Sequence, residues 1–431
     1  MNCEIIWFCM VLSCSCLTAY KYHQRNPKFS SKLSSPPSSS TLPCLSISMD
    51  SRPSTILLWP PIGGINNENV GSGGGGVTFD SSSLRQQTRI PKAFIWPRRD
   101  RQAAIEELDA PVVDLHGFLR GDEASTRRAA ELVRRACERH GFFQVTNHGV
   151  GERLVRDAME CTDAFFKLPL PDKLRARRKP GSLWGYSGAH ADRFSSKLPW
   201  KETLSFGHHD SESCIVVDYF ASTMGKDFDG MGRVYQMYCE SMKKLSLAIM
   251  ELLAISLGID RSHYRELFEE GRSIMRCNYY PPCQEPEMTM GTGPHCDPTA
   301  LTILNQDEHV GGLEVFASNK WQAVRPLHNA LVINIGDTFM ALANGRYKSC
   351  LHRAVVHRHG ERRSLAFFAC PREDKMIRPP KDLAAGGRLY PDFTWAQFVE
   401  FTQRHYRADV RTLHTFTNWL QSSSSSSTSM A

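Results

Sequence analysis

The sequence predicts a mixed α/β fold, in which α-helices buttress a double-stranded β-helix core of the jelly-roll type. Amphipathic helical patterns precede this core, and the longest of them runs from Gly232 to Leu257. From Ser273 to Ala369 the pattern changes to short alternating apolar runs, separated by turn signals such as Gly311-Gly312 and Asn344-Gly345. Many short strands at such spacing are typical of sandwiches and barrels.

Composition divides the chain into five regions. Residues 1–89 are rich in Ser and Gly and contain no core-forming pattern, so we expect a disordered or non-native N-terminal extension. We favour translation from Met49, and a basic, Ser-rich plastid transit peptide in residues 1–48 is the open alternative. The remaining regions are a helix-rich N-terminal part at 90–270, the jelly-roll core at 271–375, a C-terminal helix and lid at 376–420, and a disordered serine tail at 421–431.

Helix signals are clearest after Ile90, where order should begin. An acidic first turn and a closing glycine predict a helix over Asp122–His140, and Pro169 ends a second helix over Glu152–Leu168. Between them the apolar run Phe142–Thr146 predicts a strand. A further helix is expected near Thr394–Tyr406.

Charge and cysteine usage exclude several classes of protein. The formal charge is +7, and no basic stripe interleaved with aromatic residues is present, so we expect no nucleic-acid partner. The fourteen cysteines include no C-x-x-C pair, which indicates free thiols in a reducing compartment rather than zinc sites. The apolar run Ile5–Leu17 is shorter than the roughly 20 residues that cross a bilayer, so we expect no membrane span and a cytoplasmic location.

A candidate metal site is centred on His295 and Asp297. Residues at i and i+2 of an extended segment point to the same face, so the imidazole and the carboxylate can bind one cation. His352 opens an apolar alternating run and is the preferred third ligand; His357 and His359 precede or lie within a polar turn and are the alternatives. Two histidines and one carboxylate on one face are typical of non-haem Fe(II) oxygenases.

A candidate dicarboxylate site accompanies the metal residues. Arg362 and Ser364 share one face of a predicted strand, and Asn278 and Tyr280 share one face of another, together with Arg276. A guanidinium binds a carboxylate through a two-pronged, charge-assisted fork. The set therefore suits a buried dicarboxylate beside the metal.

These residues carry a family resemblance. From about Ile90 to Leu420 the chain resembles plant 2-oxoglutarate- and Fe(II)-dependent dioxygenases, whose pattern is His-x-Asp, a distal His and Arg-x-Ser. Two further blocks, Asn278-Tyr-Tyr-Pro-Pro-Cys283 and Leu198-Pro-Trp-Lys-Glu-Thr203, resemble the signature blocks of gibberellin 20-oxidases.

The resemblance implies a function and its cofactors. The metal would be Fe(II), held by His295, Asp297 and His352, with 2-oxoglutarate as co-substrate, O2 as oxidant and ascorbate as a further requirement. The far carboxylate of 2-oxoglutarate would meet Arg362, Ser364 and Tyr280, with Asn278 nearby. The substrate would be a C20 gibberellin, a carboxylated diterpenoid oxidised at C-20 through alcohol and aldehyde and then shortened to a C19 product. Substrate-binding candidates are Trp200, Lys201, Phe206 and Trp419, and we expect a monomer.

Three alternatives remain at this point. Within the same class, the chain would be a plant dioxygenase that acts on another gibberellin position or on a flavonoid. A zinc hydrolase uses similar ligands but has no use for Arg362 and Ser364. A jelly roll can also serve as a non-catalytic binding module, which has no reason to keep a complete ligand set.

Overall fold

The computed structural model describes residues 79–85, 87–179, 182–190, 197–210, 214–405 and 411–428. The interpretations of residues 1–78, which include the start at Met49 and the transit peptide, lie outside these ranges. The strands, in chain order, are β1 (Glu106–Glu107), β2 (Val112–Asp114), β3 (Phe142–Thr146), β4 (Gly185–Gly188), β5 (Glu202–His208), β6 (Ser273–Tyr280), β7 (Thr292–His295), β8 (Leu301–Gln306), β9 (Leu313–Ala317), β10 (Lys320–Ala323), β11 (Leu331–Ile335), β12 (His352–Ala354), β13 (Arg362–Ala369), β14 (Met376–Ile377) and β15 (Phe393–Thr394).

Most of these strands form two sheets, and their antiparallel pairing confirms the predicted jelly-roll core. Within the described ranges, the larger sheet has the order β2-β3-β11-β8-β13-β6-β5-β4 and the smaller sheet the order β1-β10-β9-β12-β7. Only the β1–β10 and β2–β3 pairs are parallel among the described strand pairs. The large sheet buries apolar side chains against the helices, as expected for a sheet with one face on the core.

Helices cover the large sheet and occupy much of the chain before β6. In chain order they are α1 (Ser81–Arg85), α2 (His116–Leu119), α3 (Glu123–Arg139), α4 (Glu152–Lys167), α5 (Leu170–Arg175), α6 (Ile215–Met224), α7 (Asp229–Leu257), α8 (Ser262–Phe268), α9 (Asp337–Leu342), α10 (Trp395–His405) and α11 (Thr412–Thr428), with short 3-10 turns at Lys92–Phe94, Arg98–Arg101, Lys226–Phe228, Pro286–Met288 and Lys381–Ala384.

The predicted helices are confirmed with small shifts at their ends. The Asp122 carboxylate caps α3 by accepting the Ser125 N–H at 2.6 Å, so the predicted first residue is the cap. The long helix α7 begins three residues before the predicted Gly232 and ends at Leu257. Gly258 follows in the left-handed region at φ 75°, a conformation that glycine adopts without steric cost.

Order begins earlier than the predicted Ile90. Phe79 and Leu84 are buried in a small apolar cluster, and the Phe79 ring lies 5.5 Å from the rings of both Phe94 and Trp200. Two apolar side chains in a Ser-rich stretch are a weak pattern, but burial of both is enough to dock the segment on the fold.

The serine tail also differs from its prediction. Helix α11 runs from Thr412 to Thr428, although residues 421–431 were predicted to be disordered. Its apolar first half packs on α10 through Phe416, which contacts the ring of Phe401 at 5.3 Å, and the serine run continues the same helix. None of the described helices combines the length and apolar content that crossing a bilayer requires.

Candidate metal centre

The side chains of three residues, on or next to the paired strands β7 and β12, converge on one point. His295 ends β7, Asp297 follows two residues later, and His352 opens β12 directly opposite His295 in the antiparallel ladder. Oδ1 of Asp297 lies 3.6 Å from Nε2 of His295 and 3.7 Å from Nε2 of His352. One ligand atom from each residue lies within 4.8 Å of the other two, as metal binding requires.

Backbone carbonyls orient both imidazole rings. Nδ1 of His295 lies 2.9 Å from the carbonyl oxygen of Gly293, and Nδ1 of His352 lies 3.3 Å from that of Cys350. An N–H at Nδ1 leaves Nε2 as the metal-binding atom, which is the usual arrangement of metal-ligating histidines. Both Nε2 atoms face Asp297.

The Asp297 carboxylate is held from the large sheet. Its Oδ2 accepts hydrogen bonds from Oγ1 of Thr302 at 2.6 Å and from Nδ2 of Asn334 at 2.9 Å. Only Oδ1 therefore remains directed at the histidines. Sequence reasoning missed Thr302 and Asn334, because they stand on β8 and β11 and no local motif connects them to Asp297.

The electrostatics suit a cation at this point. Burial, and then the neighbouring His352, lower the pKa of His295 to about 3, so this imidazole is neutral at physiological pH. Burial raises the pKa of Asp297, but the two histidines and the hydrogen bonds from Thr302 and Asn334 outweigh it and hold the pKa below its usual value. A neutral imidazole and an ionised carboxylate are the metal-binding forms.

The alternative histidines lie elsewhere. Nε2 of His357 is 3.0 Å from the carbonyl oxygen of Gly311, and His359 is exposed. Neither joins the cluster of metal-binding groups found among the described residues. The donor set of two imidazoles and one carboxylate therefore fits an Fe(II) ion with open positions.

Arg362 provides a buried cation beside this centre. Its side chain is 2% exposed, and its guanidinium lies 5.2 Å from the ring centre of Tyr280, its partner across the β13–β6 ladder. Nη2 donates to Oε1 of Gln306 at 3.3 Å, whereas Nε has no hydrogen-bond partner within the described part of the chain. Burial lowers the pKa of Arg362 from its usual value. The negative charge near this guanidinium therefore does not fully offset the cost of burying it.

The predicted companions of Arg362 lie next to it in register. Ser364 pairs with Asn278 across the same ladder, and Nδ2 of Asn278 donates to Oγ of Ser364 at 3.3 Å. The hydroxyl of Tyr280 lies 3.4 Å from Oγ1 of Thr292 on β7. The neighbouring Arg363 points away and forms ion pairs with acidic residues, namely Asp163, Asp307 and Glu361.

Lys201 is buried on the other side of Thr292. Its side chain is 4% exposed, and Nζ donates to Oγ1 of Thr292 at 3.0 Å. No carboxylate forms an ion pair with Lys201 among the described residues. Burial, and then the nearby charges of Arg276 and Arg178, lower the pKa of Lys201 well below its ordinary value.

The aromatic residues predicted to line the substrate pocket are packed into the protein. Trp200 is fully buried and makes edge contacts with Phe94 and Phe79, so it does not form an open wall. Phe206 is likewise fully buried, in an aromatic cluster with Tyr235 and its neighbours between β5 and the helices. Trp419 is half-buried on α11, and its role in substrate binding stays a prediction.

Comparison with known families agrees with this geometry. Residues 271–371 match the 2OG-Fe(II) oxygenase superfamily, and residues 110–219 match the family described as non-haem dioxygenase in morphine synthesis N-terminal. Gibberellin 20 oxidase 2 of Oryza sativa subsp. indica is 63% identical over 78% of this chain and 87% of its own length. Gibberellin 20 oxidase 1 of Arabidopsis thaliana is 55% identical over 80% of this chain and 92% of its own length.

Solved structures share the fold. The crystal structure of JOX2 in complex with 2OG, Fe and JA has a TM-score of 0.67 and 30% identity, covering 78% of this chain and 97% of its own. A rice dioxygenase for auxin oxidation has a TM-score of 0.58 and 28% identity, covering 68% and 95% respectively. The resemblance seen in the sequence is thereby confirmed: the chain belongs to the 2OG-Fe(II) oxygenase superfamily and is an Fe(II)- and 2-oxoglutarate-dependent dioxygenase.

Proposed function

We propose that this dioxygenase oxidises C20 gibberellins at C-20, through alcohol and aldehyde, and releases C19 gibberellins. The observation that carries the proposal is the high identity, over most of the chain, to relatives named gibberellin 20 oxidases. Each turnover would consume one O2 and one 2-oxoglutarate and yield succinate, CO2 and the oxidised substrate.

In this proposal His295, Asp297 and His352 hold the iron. When bound, the iron supplies the O2 activation that is coupled to decarboxylation of 2-oxoglutarate. The carbonyls of Gly293 and Cys350 keep the two imidazoles directed at the metal, and Thr302 and Asn334 restrict Asp297 to one ligating oxygen. These partners keep the ligand atoms in place before the metal arrives.

Arg362, Ser364, Tyr280 and Asn278 bind 2-oxoglutarate in this proposal. Support comes from the burial of Arg362 and from its unused Nε donor. A buried cation is costly unless a partner compensates it, and a dicarboxylate brings a carboxylate with matching fork geometry. Ser364 and Tyr280 add hydroxyl donors on the same face of the sheet.

Lys201 anchors a carboxylate of the gibberellin in this proposal. It is buried close enough to Asp297 for their charges to interact. A substrate carboxylate would favour the charged form of the lysine, because an opposite charge raises a depressed lysine pKa. Trp200 would serve this anchor indirectly, since it packs the segment that carries Lys201 onto Phe94.

Two further expectations belong to the same proposal. We expect the protein to act as a monomer and in the cytoplasm, with a plastid location as the alternative. Size-exclusion chromatography with light scattering, and a fluorescent fusion of the full chain, test them.

The decisive experiment follows the products. Purified protein is incubated with Fe(II), ascorbate, 2-oxoglutarate and a C20 gibberellin, and the products are identified by mass spectrometry. We expect alcohol, aldehyde and C19 species, all absent without 2-oxoglutarate. A product that retains all twenty carbons and gains one ring hydroxyl would identify a different gibberellin oxidase, and turnover of a flavanone alone would refute the substrate.

A further inference from the structure

Trp96 precedes both matched family regions, yet its indole ring rests on the strand that carries His295. Trp96 is 6% exposed. An ideal Cβ built on Gly293 would lie 2.1 Å from Cη2 and 2.6 Å from Cζ3 of Trp96. The φ angle of Gly293 lies outside the left-handed region, so the absence of a side chain here serves close approach rather than a turn.

Hydrogen bonds hold the indole in this position. Its Nε1–H donates to the carbonyl oxygen of Leu198 at 3.1 Å, and the Trp96 backbone N–H donates to that of Met288 at 2.9 Å. The Trp200 N–H in turn donates to the carbonyl oxygen of Met290 at 2.8 Å. Three segments distant in sequence are therefore tied together around Trp96.

Gly293 is connected to the metal centre by one hydrogen bond. The Gly293 carbonyl oxygen is the partner of Nδ1 of His295 at 2.9 Å. A shift of Gly293 therefore turns the imidazole and moves Nε2, the atom that faces Asp297. We propose that Trp96 is a positioning residue, whose indole fixes Gly293 and thereby the orientation of His295. The indole N–H of Trp96 also holds the segment that carries Lys201, through its hydrogen bond to the Leu198 carbonyl oxygen.

The proposal predicts coupling between Trp96 and Gly293. Gly293→Ala inserts a methyl group against the ring, and we expect Co2+ affinity to fall by about tenfold or more, the usual effect of disturbing a partner that orients a metal ligand. Trp96→Leu should weaken binding less. The double variant should recover most of the affinity, because the smaller side chain leaves room for the methyl group. Anaerobic Co2+ titration, read by the visible absorption of the bound ion, measures each affinity without turnover.

Two further variants separate ring contact from other effects. Trp96→Phe keeps an aromatic ring but removes the N–H donor to Leu198 and the far edge of the indole that contacts Gly293, so Co2+ affinity should lie between the values for the parent and for Trp96→Leu. Trp395→Leu is the matched control: this tryptophan is also 6% exposed, but it packs against Phe398 on α10. It should lower the melting temperature and leave Co2+ affinity unchanged.

The outcomes distinguish this inference from the proposed function on which it rests. Unchanged Co2+ affinity in Gly293→Ala, or additive losses in the double variant, would overturn the role of Trp96. So would equal losses in Trp96→Phe and Trp96→Leu. Normal Co2+ binding by His295→Ala would instead remove His295 from the ligand set, and with it the proposed iron site.

Discussion

Replacing Arg362 by lysine tests the 2-oxoglutarate site most directly. The substitution keeps a positive charge at a 2% exposed position but removes the fork whose Nε is unused within the described part of the chain. A lysine ammonium is a point charge and cannot form two parallel bonds to one carboxylate. Loss of one charged hydrogen bond costs about 1.5–3 kcal/mol, which is roughly a tenfold to hundredfold loss of affinity.

The assay is the dependence of succinate formation on 2-oxoglutarate concentration. We expect Arg362→Lys to raise the KM for 2-oxoglutarate by that factor, and saturating co-substrate to restore much of the rate. Arg363→Lys is the matched control, because the adjacent arginine points away and is engaged by Asp307 and Glu361. An unchanged KM in Arg362→Lys, or an equal rise in the control, would refute the assignment of Arg362.

The other predictions concern the metal ligands, Lys201 and the N-terminal segment. Alanine at His295, Asp297 or His352 should abolish metal binding and turnover while circular dichroism shows an intact fold; full activity in any one would remove that residue from the ligand set. Lys201→Met should raise the KM for the gibberellin but not the KM for 2-oxoglutarate. An equal gibberellin KM in the variant and the parent would exclude Lys201 as the anchor of the substrate carboxylate. The pKa of Lys201 is lower in the folded state than in the unfolded state. The destabilisation of the fold by this lysine is therefore complete below the folded-state pKa and disappears as pH rises towards the unfolded-state pKa. Lys201→Met should thus raise the melting temperature more at neutral than at alkaline pH. A chain beginning at Met49 should be fully active, whereas removal of residues 1–89 should lower the melting temperature, since it deletes the buried Phe79 and Leu84; an unchanged melt would show that these contacts contribute nothing.

Residues close together in sequence made much of the site predictable. His295 and Asp297 are two apart, as are Arg362 and Ser364, so strand alternation alone places each pair on one face. The partners of those groups were not predictable, because sheet pairing brings them in from other strands. Asn334 reaches Asp297 because β11 pairs with β8 and places Asn334 opposite Thr302, the other hydrogen-bond donor to this carboxylate.

The aromatic substrate-binding candidates could not be assigned from sequence. Trp200 and Phe206 have the composition of pocket walls, but a large apolar side chain gains as much by burial in the core as by facing a ligand. The structure places both in the core. Phe79 and Leu84 illustrate the same point, because both are buried in a segment whose composition predicts disorder.

The hydroxyl of Thr292 connects Lys201 with Tyr280. It lies between Nζ of Lys201 at 3.0 Å and the Tyr280 hydroxyl at 3.4 Å. The Lys201 amine donates to Oγ1 of Thr292, which leaves the single Thr292 O–H available for the Tyr280 oxygen. With that hydrogen bond in place, the Tyr280 O–H can be donated to another acceptor. In the proposed function, Thr292 therefore links the substrate anchor Lys201 to Tyr280 of the 2-oxoglutarate site through two side-chain contacts, so a change at either site can be felt at the other.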